Sequence, residues 1–186
     1  MRSTLVLALI LSLGACAAFQ RTEGSGFISA SNLPDLARAS DVVLVGVIDK
    51  ASGTRNLARN PKNLSQEDPN IVVVGQDYLM TVTSVLKGSA PAKSTITVAR
   101  GRGTQARGVK DDTDWIPLTA GQEYVLFLRT LPYDPSVFAL AIEPSRFRIA
   151  AEVRPESPWQ QADKYFPPQD RASFLAALGA AVTSAR

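Results

Sequence analysis

Several groups of residues in this 186-residue chain have types and spacing that could do chemistry. Arg100, Arg102, Arg107 and Lys110 sit in or beside a Gly-rich stretch, where cationic side chains and free amides could hold an anion or a charged partner. Asp111, Asp112 and Asp114 cluster beside Trp115 and offer the oxygens that Ca²⁺ prefers. They lack the full Asp-x-Asp-x-Asp-Gly spacing and the distal Glu, so an acidic, solvated loop is expected. Ser84 and Lys87 have the spacing of a serine nucleophile with a lysine base. That spacing needs a helix, and here it ends a predicted strand, where the two side chains point to opposite faces. Gly101-Arg102-Gly103-Thr104-Gln105-Ala106 matches Gly-x-Gly-x-x-Ala after a strand. No helical stripe follows, so a dinucleotide site is not expected.

Composition removes further options. The chain has no histidine, which excludes a Ser-His-Asp triad, a Cys-His dyad and a histidine metal ligand. Its single cysteine allows no internal disulfide and no multi-thiolate zinc site. At 45% hydrophobic and 20% charged, the make-up is that of a globular domain. No catalytic residue, metal site or cofactor is expected.

That cysteine stands in an informative place. Arg2 gives a positive start, Leu5 to Leu13 is an apolar run interrupted only by Ser12, and Leu13-Gly14-Ala15-Cys16 follows. The run is too short to span a bilayer, which needs roughly 20 apolar residues. The pattern resembles a bacterial lipobox at every position. The resemblance implies a signal peptide over residues 1–15, cleavage before Cys16, and lipidation of Cys16 with acyl chains such as palmitate. With Ala17 rather than an Asp next, it implies the outer membrane, with the domain facing the periplasm. Each buried methylene contributes about 0.8 kcal/mol, so two or more chains hold a protein stably where one does not.

Residues 16–30 are small, polar and Gly-containing, and read as a tether. Ser31 to Ser40 resembles a short helix, capped by Ser31 or Asn32, with Leu33, Leu36 and Ala37 toward the core. Val42 to Ile48 is β-branched and nearly continuously apolar, which predicts a strand covered on both faces with a bend or bulge at Gly46. Asp49 to Asn70 shows no periodicity and reads as a long loop. Ile71 to Leu86 reads as a strand, with Tyr78, Met80, Val82 and Leu86 on one face. Thr95 to Arg100 alternates, and Gly101 to Trp115 reads as a second loop. Glu123 to Thr130 is a further strand, and Phe138 to Ile149 continues the alternation, with Arg146 and Arg148 opposite Phe147 and Ile149. Pro155 to Pro168 is a Pro-rich linker whose Trp159, Tyr165 and Phe166 are expected to pin it to the domain. Asp170 to Ser184 carries an apolar stripe of Phe174, Leu175, Leu178 and Val182 at helical spacing.

This pattern predicts a mainly β fold, a small antiparallel OB-like barrel over residues 31–154. A short helix precedes it, and a linker and C-terminal helix fill 155–186. The residues Ala39-Ser40-Asp41-Val42-Val43, Val45-Gly46, Val85-Leu86-Lys87-Gly88, Thr95-Ile96-Thr97-Val98 and Leu118 to Leu128 resemble small secreted bacterial barrels of an OB-like, netrin-module-like kind. The resemblance implies the fold and no particular activity. Netrin-type relatives act on metalloproteases through disulfides and a cysteine N-terminus; this chain can form no internal disulfide, and its only cysteine would be blocked by lipid, so that activity is not expected.

From Lys50 to Lys110 ten Lys and Arg face three acidic residues, so the mature chain is locally basic although close to neutral overall. Stacking aromatics are absent between Lys87 and Asp114, so nucleic acid is not the expected partner. The expected role is binding or assembly in the cell envelope, toward another envelope protein or an anionic lipid or lipopolysaccharide surface. The alternatives are an enzyme working on envelope glycan through carboxylates, or a carrier with an apolar cavity inside the barrel.

Overall fold

The computed structural model describes residues 29–105 and 115–185, with the backbone alone for residues 102–105. Its elements are α1 (Leu33–Arg38), β1 (Val42–Asn56), β2 (Arg59–Asn60), β3 (Asn63–Glu67), β4 (Val72–Lys87) and β5 (Thr95–Gln105). They continue with β6 (Glu123–Leu131), β7 (Asp134–Leu140), β8 (Arg146–Ile149), β9 (Val153–Pro155), α2 (Ala162–Tyr165) and α3 (Arg171–Ser184).

β1 pairs antiparallel with β4 along one edge and with β6 along the other. β4 pairs antiparallel with β5, β5 runs parallel to β7, and β7 returns antiparallel to β6. Five strands therefore close a ring, β1-β4-β5-β7-β6, which is the OB-like barrel expected. The parallel seam is short, since only Thr97, Val98 and Ala99 of β5 face β7. β8 follows β7 along the same edge of β6, and β9 extends the sheet beyond β8.

The continuous apolar run of β1 is explained by burial on both sides. Val42, Leu44 and Ile48 fill the barrel with Tyr78, Met80, Val82, Val98, Tyr124, Leu126 and Leu128. Val43 and Val45 face outward with Val125, Phe127 and Phe147 into a second core beneath the helices. In that outer core Phe147 meets Phe127, Phe166 and Phe174 at ring distances of 5.7, 5.3 and 5.0 Å. Such aromatic contacts add about 0.5–1.5 kcal/mol each beyond area burial. Phe174, Leu178 and Val182 form the buried stripe of α3, and Asp170 caps that helix by accepting from the Ser173 amide at 3.0 Å. Asn32 caps α1 through the Asp35 amide at 2.8 Å.

Gly46 marks a bulge, where the β1–β4 register shifts between Val45 and Gly46. A Cβ there would run into the Thr81 carbonyl and the Met80 side chain. The irregular register corrects one expectation. Leu86 does not share a face with Tyr78, Met80 and Val82; it packs in the outer core, and Val85 takes the barrel side.

Two loop readings are also corrected. Asp49 to Asn56 belongs to β1, and Asn60-Pro61-Lys62-Asn63 turns a small β2–β3 hairpin. Residues 101–105 extend β5 against Val72 to Gly75. Residues 49–56 and the hairpin are exposed or half-exposed, so burial imposes no period-2 pattern on them. The Pro-rich stretch is pinned as expected. Trp159 and Phe166 are buried, and Trp159 stacks on Tyr165 at 5.1 Å. Among the described residues no helix is long and apolar enough to cross a membrane.

Candidate functional site

Cys16, Arg107 and Lys110 lie outside the described residues, as do Asp111, Asp112 and Asp114. Arg102 lies on β5. Arg100 also lies on β5 and is only 7% exposed, so it belongs to the body of the sheet rather than to a loop. Ser84 and Lys87 form no dyad, because the Lys87 ammonium donates to the Ala37 and Ser40 carbonyls at 2.6 and 2.7 Å. Lys87 thus caps the C-terminal end of α1, where unpaired carbonyls favour a cation.

Much of the basic character of β1 and the hairpin is spent internally. The Arg55 guanidinium donates Nε to Asp77 Oδ1 at 2.7 Å and Nη2 to Asp77 Oδ2 at 2.7 Å. Its Nη1 donates to Asp134 Oδ2 at 2.9 Å. The planar fork suits this two-carboxylate grip. Arg55 therefore ties the far end of β1 to β4 and to the start of β7, beside the short parallel seam. Hydrogen bonding from Arg55 and, more strongly, from the Ser136 hydroxyl at 2.6 Å holds the Asp134 carboxyl below its ordinary range. The Asp77 contact raises the Arg55 pKa. Nearby, Arg59 lies 3.8 Å over the Tyr133 ring and 3.6 Å from Glu67. Leu57 covers Gly75, where a Cβ would collide with it.

This clamp makes a rigid base for an arm built from residues 57–72. In an OB-like barrel the connection after the first strand and the turn between the last two commonly frame a binding surface, and here they carry Arg59 and Tyr133. The three exposed large hydrophobic residues among those described, Leu64, Ile71 and Val72, all lie on this arm at 52, 41 and 40% exposure. Every residue of β3 is exposed.

Replacing Arg55 with alanine is expected to cost about 2–3 kcal/mol, because Asp77 would keep its burial and lose its charged donors. A urea titration of R55A and D77N, singly and together, checks this. The double variant is expected to fall well short of the sum of the singles. Acid gives a second test. Because the folded pKa of Asp134 is depressed, its stabilisation is complete above the unfolded value of about 4 and is lost as pH falls below it. Ser136→Ala is expected to flatten the loss of urea midpoint below about pH 4.

Sequence reasoning missed Arg146. The alternation placed it only on the face opposite Phe147 and Ile149, and it is 1% exposed there. Nη1 donates to the Ile116 carbonyl at 2.6 Å and Nε to the Glu156 carbonyl. Burial lowers its pKa, and the charges of Glu143 and Glu156 oppose that shift. Tyr124 accepts from the Thr119 amide at 3.2 Å and donates to Glu156 at 3.1 Å, and burial raises its pKa. This network stitches 116–119 and Glu156 onto the barrel.

The barrel interior is occupied by side chains such as Tyr78, Met80, Leu126 and Leu128, each at 2% exposure or less. Outside it, α1, α2 and α3 border an apolar groove of about 590 Å³ lined by Leu33, Tyr165, Phe166 and Phe174. Among the described residues no group of three or more His, Cys, Asp or Glu is placed to hold a metal ion. No protein-family model matches the chain and no curated protein matches it, so the site is read from its own geometry.

Proposed function

We propose that this chain is a lipid-anchored protein of the bacterial cell envelope, held in the outer membrane through Cys16, that uses its barrel as a non-catalytic binding module. The lipobox Leu13-Gly14-Ala15-Cys16 supports the anchor. The observation that carries the binding role is the separation of two ends. The chain enters where Ala30 donates its amide to the Glu143 carbonyl at 2.9 Å, close to Phe127 and the start of β1. The arm leaves at the other end of β1, a contour of about 45 Å away at strand rise. A tether at one end and exposed apolar residues at the other suit a module that reaches from a membrane toward a partner.

The partner surface is the arm. Arg55 and Arg59 are engaged within the fold, which favours a protein partner over a general anion. The test is the intact mass of protein extracted from membranes, with cross-linking in cells, for the natural chain and for one with residues 58–70 replaced by a short turn. A mass of Cys16 through Arg186 plus acyl chains is expected for the natural chain, and the same anchor with lost cross-links for the variant. An uncleaved or unacylated chain would overturn the anchor. An unchanged cross-linking pattern would overturn the arm as the binding surface.

A further inference from the structure

We propose that the apolar groove beside α1 and α3 holds one of the acyl chains carried on Cys16 when no bilayer does. This rests on the reading of Cys16 as the lipidated anchor and names the site on the domain that covers the lipid.

The groove suits an apolar, uncharged occupant. Phe166 and Phe174 are buried beneath it, and half-buried Leu33 and Tyr165 border it. Its volume of about 590 Å³ falls in the range of small-ligand sites. None of the described residues that line it is charged. Two of its polar side chains are spent on helix ends. Asn32 bonds the Asp35 amide and carboxylate, and the Ser184 hydroxyl donates to the Ala181 carbonyl. A phosphate, a headgroup or a charged peptide would find no counter-charge there. From Ala172 to Ser184, α3 carries no charge at all, so it lacks the charged outer face of an ordinary surface helix. Ala177 and Ala180 are exposed and small, and they leave the groove open. No large apolar side chain stands out from it, since Leu64, Ile71 and Val72 all lie on the arm. Such a surface takes a chain in rather than inserting into a bilayer.

The occupant follows from where the tether ends. The described chain begins at Ser29, which pairs with Glu143, and the lining of the groove begins two residues later at Ser31. Ser29 follows Cys16 by thirteen residues, so Cys16 stays within about 45 Å of it even at full extension. A ligand joined to its site by a linker of that length meets it at an effective concentration on the order of millimolar. A free lipid in water, or a side chain of another protein, has no such advantage. An acyl chain outside a bilayer is driven onto apolar surface, and this surface adjoins the attachment of its own tether.

The experiment uses the full acylated chain, purified in detergent and then freed of it, with photoreactive benzoyl-phenylalanine in place of Ser184 at the rim. Light is expected to join α3 to the peptide that begins at Cys16, through an acyl chain, as read by mass. The same residue in place of Gly53, where an added Cβ meets nothing within 4 Å, is the control and is expected to give no such product. Ala177→Phe and Ala180→Phe fill the groove from exposed positions, so the thermal midpoint is expected to hold. Keeping even two methylenes out of the groove lowers occupancy about tenfold, which is the expected loss of product. A product undiminished in both variants would overturn the groove as the place of contact. Light-driven linkage to a co-purifying phospholipid alone would overturn the Cys16 chain as occupant. An acylated protein with no link from position 184 would overturn this inference and keep the anchor, whereas a mass without acyl chains would overturn both.

Discussion

Arg146→Ala is expected to destabilise the fold by about 3–5 kcal/mol, the scale for breaking a buried charged network from one side. The carbonyls of Ile116 and Glu156 would lose their donors, and a cavity would open at a 1% exposed site. For a domain of this size that corresponds to a fall of roughly 6–20 °C in the thermal midpoint. A second variant separates charge from volume. Arg146→Met fills much of the space without burying a charge, so it is expected to lose less than alanine does. Equal losses in the two variants would show that the hydrogen bonds alone set the cost. Near-neutral alanine would mean that 116–119 and Glu156 are held in place by other contacts. Calorimetry of both variants decides.

Gly88→Ala is expected to be comparably damaging, at about 2–5 kcal/mol. Gly88 has φ of +76°, where an L side chain costs about 1–2 kcal/mol. A Cβ there would also run into the Asp41 carbonyl, which is backbone and cannot swing aside; overpacking of that kind adds about 1–3 kcal/mol. Gly121 supplies the control. Its φ is +77°, but nothing lies within 4 Å of its added Cβ. Gly121→Ala should therefore lose only about 1–2 kcal/mol, and urea midpoints of the two variants isolate the steric part. If both lost the same amount, backbone conformation alone would explain Gly88.

Gly88 also brings together two stretches that are far apart in the sequence. Leu86-Lys87-Gly88 ends β4, and Ala39-Ser40-Asp41 leads from α1 into β1. The fold puts them in contact. Lys87 closes α1 by binding the Ala37 and Ser40 carbonyls, and Gly88 lets the chain pass the Asp41 carbonyl. Asp41 in turn accepts from the Thr130 amide at 2.9 Å, joining β6 to the same corner. Each residue choice is a local answer to one crossing of the chain.

What was legible in the sequence followed from burial. Residues 42–48 and 123–130 read as strands because most of their side chains, Tyr124 to Leu128 in the second, enter one of two cores. α3 read as a helix because one stripe of it does so. The β1 end and the β2–β3 hairpin stand away from both cores, so their strands left no hydrophobic period and were read as a loop. The candidate cations fared unevenly for a related reason. Charge counts show that residues 50–110 are basic, but they do not show that Asp77, Asp134 and Glu67 meet Arg55 and Arg59 across the fold.

The sequence by itself determined the alternating strands and the helical stripe, since each depends on residues near one another along the chain, and its composition excluded histidine chemistry. Tertiary structure alone decided the ring closure, the parallel seam of β5 and β7, the Arg55 clamp and the burial of Arg146. Those depend on partners far apart in sequence. The Ile116 carbonyl that holds Arg146 is 30 residues away, and the Asp134 carboxylate that holds Arg55 is 79 residues away. A carbonyl has no sequence signature, and a carboxylate announces a charge but not its partner. Only closing the barrel brings these groups within hydrogen-bonding distance and excludes the water that would otherwise have satisfied them.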